Sequence, residues 1–218
     1  MALSKVNFNS MNVTPAASKA IKFNSSNNGL ETGDVGGSLV LISTQTASSS
    51  STISFTSGID STYKEYIFKF IDIHPAAVSQ FSFQGNAAGG SGYNETITST
   101  SFQSFHREDD SSTSLNYRTG DDLAQGTSFQ VLTNNVGDDA DQSCAGTLHL
   151  FDPSNTTFVK HFISRIQVYR STGSSAEASS VEAFTAGYFN TTSAIDEIQF
   201  KMSSGNIDAG TIKLYGVS

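Results

Sequence analysis

Asp138, Asp139 and Asp141 crowd the stretch NNVGDDADQS and are the chain's first candidate ligands for a hard cation. Carboxylates at near-alternate positions of a loop can converge as oxygen donors for Ca²⁺. The stretch lacks the turn glycine and distal glutamate of the helix–loop–helix calcium motif, so an acidic solvated turn is the competing reading. Apart from Ca²⁺ in this loop, no cofactor is expected. A second group comprises His106, Arg107, Glu108, Asp109 and Asp110, followed by Arg118, Asp121 and Asp122. Glycoside hydrolysis needs two carboxylates at a fixed separation across a cleft. Glu108 with Asp121 is the pair that comes nearest, but both stand in Gly- and Ser-rich turns, where charge runs are usually solvated surface. The expectation is that the chain is not an enzyme.

Tyr93 and Tyr117 stand in polar, loop-rich stretches beside Asn94, Asn116 and Asp121. A tyrosine ring stacks on a sugar face while amide and carboxylate neighbours bond its hydroxyls. Tyr93, Asn94, Asn116, Tyr117 and Asp121 are therefore the candidate carbohydrate-binding set, with an ordinary surface or interface role as the alternative. His149 and His161 have the parity opposite to Leu148, Leu150 and Phe162, which puts both on a polar face. A hairpin across DPSNTT would make them neighbours, yet two histidines alone do not complete a zinc site. His74 precedes Pro75, so a turn is expected there. The glycine-rich GNAAGGSG lacks the lysine and helix start of a phosphate loop and reads as a flexible turn. One cysteine, Cys144, excludes an internal disulfide.

The elements that must position these residues are strands. Ser, Thr, Asn and 18 glycines replace much of the usual apolar and charged content, which disfavours long helices. Period two begins at Ser38. SLVLIST reads as a strand covered on both sides. YKEYIFKFIDI sets Tyr66, Phe68 and Phe70 against Ile67 and Ile71. QFSFQG, TSFQVLT (through Phe129 and Val131), GTLHLF, TFVKHFISRIQVYR and SVEAFTAGYFN continue the series. The last two runs, around Ile198 to Met202 and Ile212 to Leu214, flank a Ser-Ser-Gly-Asn turn and read as a closing hairpin. Abundant Phe, 16 residues with no Trp, should dominate the core. The predicted fold is all-β, a jelly-roll-like antiparallel β-sandwich over residues 38–218 with an extended N-terminal arm over 1–37. The arm, with isolated apolar Val6, Phe8, Ile21 and Phe23, has too little to bury a core of its own and is expected to contact a partner or another subunit.

The net charge of −8 and pI near 4.8 make nucleic acid an unfavourable partner. MALSKVNFNS lacks the apolar run of a secretory signal, and no membrane insertion is expected.

The segments FTSGIDSTYKEYIFKFIDIHPA, GNAAGGSGYNETITSTSF, FVKHFISR and AGYFNTTSAIDEIQFKMSSGNIDAGTIKLYGV resemble a domain of virion proteins from marine tailed bacteriophages, especially phages of cyanobacteria. The resemblance spans residues 38–218 and is most specific in IDEIQFKMSSGNIDAGTIKLYG. It implies a non-enzymatic structural protein made in the host cytoplasm and carried on the virion. The role implied is a tail fibre or tail appendage, homo-oligomeric with a trimer favoured, joined to other virion proteins through the arm and touching host surface glycan. The arm is shorter than in fibre-like relatives, which keeps a capsid decoration (cement) protein open as the alternative. A polysaccharide depolymerase and a carbohydrate-binding module are the remaining readings.

Overall fold

The structure, a computed structural model, describes residues 13–14, 19–34, 39–170 and 178–218. Val6 and Phe8 of the arm lie outside the described residues. Chain contacts divide the protein into two units, one of Met1–Ser38 with Ser218 and one of Leu39–Val217.

In the first unit, β1 (Lys19–Phe23) and β2 (Leu30–Asp34) pair as an antiparallel hairpin. Its register puts Ile21 opposite Thr32 and Phe23 opposite Leu30 on one face, while Lys22 and Glu31 pair at 3.4 Å on the other. A lone two-stranded hairpin is marginal in water, and Phe23 is 71% exposed.

The second unit is an all-β sandwich. Its larger sheet contains β3 (Leu39–Thr46), β5 (Glu65–Pro75), β7 (Ile97–Arg107), β8 (Thr113–Tyr117), β10 (Cys144–Phe151), β11 (Lys160–Arg170), β12 (Ser179–Phe189) and β14 (Ile207–Val217). The smaller contains β4 (Ile53–Phe55), β6 (Ser79–Ala87), β9 (Gln130–Val136) and β13 (Ile195–Met202). The spatial orders are β3-β14-β5-β10-β11-β12-β7-β8 and β4-β13-β6-β9, antiparallel throughout. With β3, β4, β5, β6, β9, β10, β13 and β14 counted as strands one to eight, the first four positions of the larger sheet read one-eight-three-six. The smaller sheet reads two-seven-four-five. That is the double Greek key of a jelly roll. Two hairpins, β7–β8 and β11–β12, are inserted into this plan and widen the larger sheet beyond β10.

Phe rings close the space between the sheets. Phe200 of β13 meets Phe68 and Phe70 of β5, each at 5.2 Å between ring centroids, and stacks at 5.8 Å on Phe81 of β6. Phe83 meets Phe162 at 5.0 Å and Phe189 at 6.0 Å. These edge-on contacts add about 1 kcal/mol each to the burial of the rings.

Several expectations need correction. SLVLIST is the free edge of the larger sheet, and Leu39, Val40 and Leu41 are exposed. The closing strands are not a hairpin: β13 and β14 belong to different sheets, and the turn around Gly205 (φ 69°) carries the chain across the sandwich. Both still face one core, which is why each alternates. The turn expected at His74-Pro75 does follow: Pro75, whose nitrogen has no hydrogen to donate, is the last residue of β5, and the chain bends at residues 76–78 before β6. In β9 the inward residues are Gln130 and Leu132, not Phe129 and Val131. Gln130 is tolerated there because it accepts from Ser99 Oγ at 2.6 Å and donates to the Asp121 and Val131 carbonyls.

Candidate binding face

The outer face of the larger sheet is crossed by one continuous rung of side chains. Register pairs Thr44 with Lys213, Lys213 with Lys69, Lys69 with Thr147, Thr147 with Arg165, Arg165 with Phe184, Phe184 with Phe102 and Phe102 with Tyr117. Directly opposed residues share a face, so all eight project to the same side. Seven strand spacings make the rung about 34 Å wide. Its centre is basic and its β12–β7–β8 end is aromatic.

At that end Phe102 and Phe184 lie stacked, with Phe102 42% and Tyr117 53% exposed. The Tyr117 hydroxyl donates to Asp122 Oδ2 at 2.6 Å, and this bond to a carboxylate raises its pKa. Arg165 is bonded to Glu182 through its Nε. One rung along, the small Ala186 leaves a depression of about 440 Å³ bordered by Thr98, Thr100, His161, Ile163 and Tyr188. Aromatic planes, threonine hydroxyls and a charged centre on one sheet face can stack on and hydrogen-bond to an extended polar polymer.

The five residues of the sequence-based sugar set are not brought together. Tyr117 is on this face. Asn116, opposite Gln103, has the other parity, and its amide donates to Ser114 Oγ. Asp121 is buried, accepts from Arg118 Nε at 3.0 Å and anchors the turn after β8. Tyr93 is on the far side of the sandwich, where its hydroxyl donates to Glu197 Oε2 at 2.9 Å; Asn94 next to it is exposed. Inward-facing Phe81, Phe83, Ile198 and Phe200 put Glu197 on the outer face of the smaller sheet.

Asp138, Asp139 and Asp141 are exposed, and Asp139 accepts from the Gln142 side chain at 3.1 Å. Among the described residues no three His, Cys, Asp or Glu side chains converge as a metal site. Glu108 sits at the β7–β8 turn, where its N–H donates to the Ala178 carbonyl. Asp121 is beyond the other end of β8, near Ser101, so β7 holds the two roughly 20 Å apart. That exceeds the carboxylate spacing of glycosidases. His149 and His161 do share the outer face, as their parity predicts, but His149 pairs with Glu65 at 2.6 Å and His161 lies edge-on to Tyr188.

Phe102, Phe184, Arg165 and Tyr188 are the residues sequence reasoning missed. The available signal was Phe102, a lone aromatic in the polar run TSTSFQS. No helix of the described residues is long and apolar enough to cross a membrane. In comparison with known proteins, the chain matches no family model, and no curated protein sequence matches it significantly.

Proposed function

We propose that this chain is a non-enzymatic structural protein of a bacteriophage particle, displayed at its surface as a tail fibre or short tail appendage that touches the host. The observation that carries the reading is the exposed rung from Thr44 to Tyr117 with its stacked aromatic end. An extended face of this kind suits contact along a polymer such as a host surface glycan. Each stacking contact is worth only about 1 kcal/mol. A homo-oligomer, a trimer in this reading, multiplies such contacts by avidity. The amphipathic β1–β2 hairpin, with Ile21, Phe23 and Leu30 unburied, is the part suited to other virion proteins. The phage setting itself rests on the resemblance of residues 38–218.

The test is an antibody against the recombinant chain, applied to purified particles of a phage that encodes it. Label at the tail is the expected result, and absence from the particles overturns the proposal. Label spread over the capsid would make the chain a decoration protein, whose arm lies across capsid subunits.

A further inference from the structure

Where β13 begins, its pairing with β6 slips by one residue. Ile195 is opposite Ala87 and Glu197 opposite Asn86, which leaves Asp196 unpaired in a bulge. A bulge sets two residues of one strand against one of its partner and re-aims their side chains. Here two adjacent carboxylates, Asp196 and Glu197, stand at the bulge, and Glu197 is opposite Asn86. Asn86 projects away from the core, because Phe83 and Gly85, of the other parity on β6, face inward against Phe162 and Phe189. The cluster therefore lies on the outer face of the smaller sheet, beside Tyr93 of the glycine-rich β6–β7 connection.

Asn86 Nδ2 donates to Glu197 Oε2 at 3.4 Å, and the Tyr93 hydroxyl donates to the same oxygen. The acceptors are left over. Asn86 is only 7% exposed, yet its Oδ1 has no hydrogen-bond partner. Asp196 Oδ1 is likewise buried without a partner. Among the described residues, no lysine or arginine pairs with Asp196 or Glu197. Both carboxylates act electrostatically on Tyr93, whose pKa is raised by burial first and by Glu197 next. Buried oxygens without donors, next to two uncompensated carboxylates, call for a positive ligand.

We propose that Asn86, Asp196 and Glu197 hold a hard cation of the Ca²⁺ type, bound through the Asn86 amide oxygen and the two carboxylates with water completing the shell. A donor set made only of oxygen selects against the softer transition metals, which prefer nitrogen and sulfur ligands. Two carboxylates balance a doubly charged ion, and an irregular strand bulge suits the permissive shell of Ca²⁺ better than the strict octahedron of Mg²⁺. Through Tyr93 the ion ties residues 88–92, where Gly89 (φ 76°) and Gly92 (φ 92°) bend the chain, to the body of the sandwich. The site is separate from the Asp138–Asp139–Asp141 loop and does not depend on the role proposed for the larger sheet.

The experiment uses the purified full chain, freed of metal by a chelator and titrated with Ca²⁺ by calorimetry and with Tb³⁺ by luminescence. Tb³⁺ bound here sits beside Tyr93, so tyrosine-sensitised emission is expected and excess Ca²⁺ should remove it. Tyr93→Phe should lose most of the emission while keeping Ca²⁺ binding. Asp196→Asn should weaken Ca²⁺ roughly tenfold or more, and Glu197→Gln serves in its place if that variant fails to fold. Asp139→Asn should change neither signal. The proposal is overturned if the wild-type chain gives neither heat nor emission, or if Asp139→Asn removes the signals that Asp196→Asn leaves intact.

Discussion

Phe102 and Phe184 stack across the β7–β12 ladder with ring centroids 5.1 Å apart and planes 12° apart, on the side of the sheet turned away from the core. Their inward neighbours Ser101 and Thr185 bond each other at 3.3 Å, so the fold at this point does not depend on the two rings. Replacing either ring by alanine should cost about 1 kcal/mol of stability or less. If the rung is the contact face, binding to host lipopolysaccharide should fall roughly fivefold in each variant, the size of one lost stacking contact of about 1 kcal/mol. Affinity electrophoresis alongside thermal denaturation separates the two effects. Unchanged binding in the Phe102→Ala, Phe184→Ala double variant would remove this face from the proposal.

Lys160 is the largest polar side chain in the core and is fully buried. Its Nζ donates to the Phe158 carbonyl at 2.7 Å and the Thr191 carbonyl at 3.2 Å, linking the chain before β11 to the chain after β12. Burial lowers the pKa of the ammonium, and Asp152 opposes that shift. Lys160→Ala removes both donors and leaves a void, an expected loss of about 2–5 kcal/mol. Lys160→Met restores most of the packing but not the bonds, so its loss should be smaller, about 1–3 kcal/mol. Urea unfolding of the two variants orders them. Equal losses would mean that the carbonyls need no donor.

The strands with an apolar inner face were legible from alternation alone: Tyr66, Phe68 and Phe70 of β5, Phe81 and Phe83 of β6, and Phe162, Ile166 and Val168 of β11 all face the core as their spacing predicts. β7 was not legible, because between Ile97 and Phe105 its inward residues are the polar Ser99, Ser101 and Gln103. Hydrogen bonds to Gln130 and Thr185 replace hydrophobic burial there, and a hydropathy pattern cannot register that. β3 carried the signal of a buried strand, since apolar residues on both faces look alike whether the strand is central or an edge. The Ser-Ser-Gly-Asn turn fixes a reversal of the chain but not the sheet that receives the next strand. The same limit hid both candidate sites. The Phe102–Phe184 stack exists only through the β7–β12 register, and the Asp196 bulge only through the β6–β13 register.

Cys144 is 1% exposed at the start of β10, and burial raises its thiol pKa far above the ordinary range. Thiolate is the reactive form, so a buried and protonated thiol should be inert. The native chain is expected to leave an aromatic disulfide reagent unreacted over hours, and the denatured chain to consume one equivalent, matching its single cysteine. Reaction in native buffer would measure opening of the β10 end of the sheet.

Asp152 follows β10 with a left-handed backbone (φ 42°) and accepts from the Asn155 amide and from Lys64 Nζ, each at 2.9 Å. These bonds, that of Asn155 foremost, lower its pKa below the ordinary aspartate value of about 3.9. A carboxylate with a depressed folded-state pKa contributes stability that is fully present above its unfolded value and is lost as pH falls through the folded one. The side chain is 32% exposed, so solvent screening holds the contribution of the Lys64 pair to about 1 kcal/mol or less. Asp152→Asn keeps the shape and removes the charge. The wild-type advantage over Asp152→Asn should be constant near neutral pH and should shrink as pH falls below about 4. Urea midpoints across that range test the sign. A gap that widened on acidification would mean that the Asp152 carboxylate is destabilising where it stands.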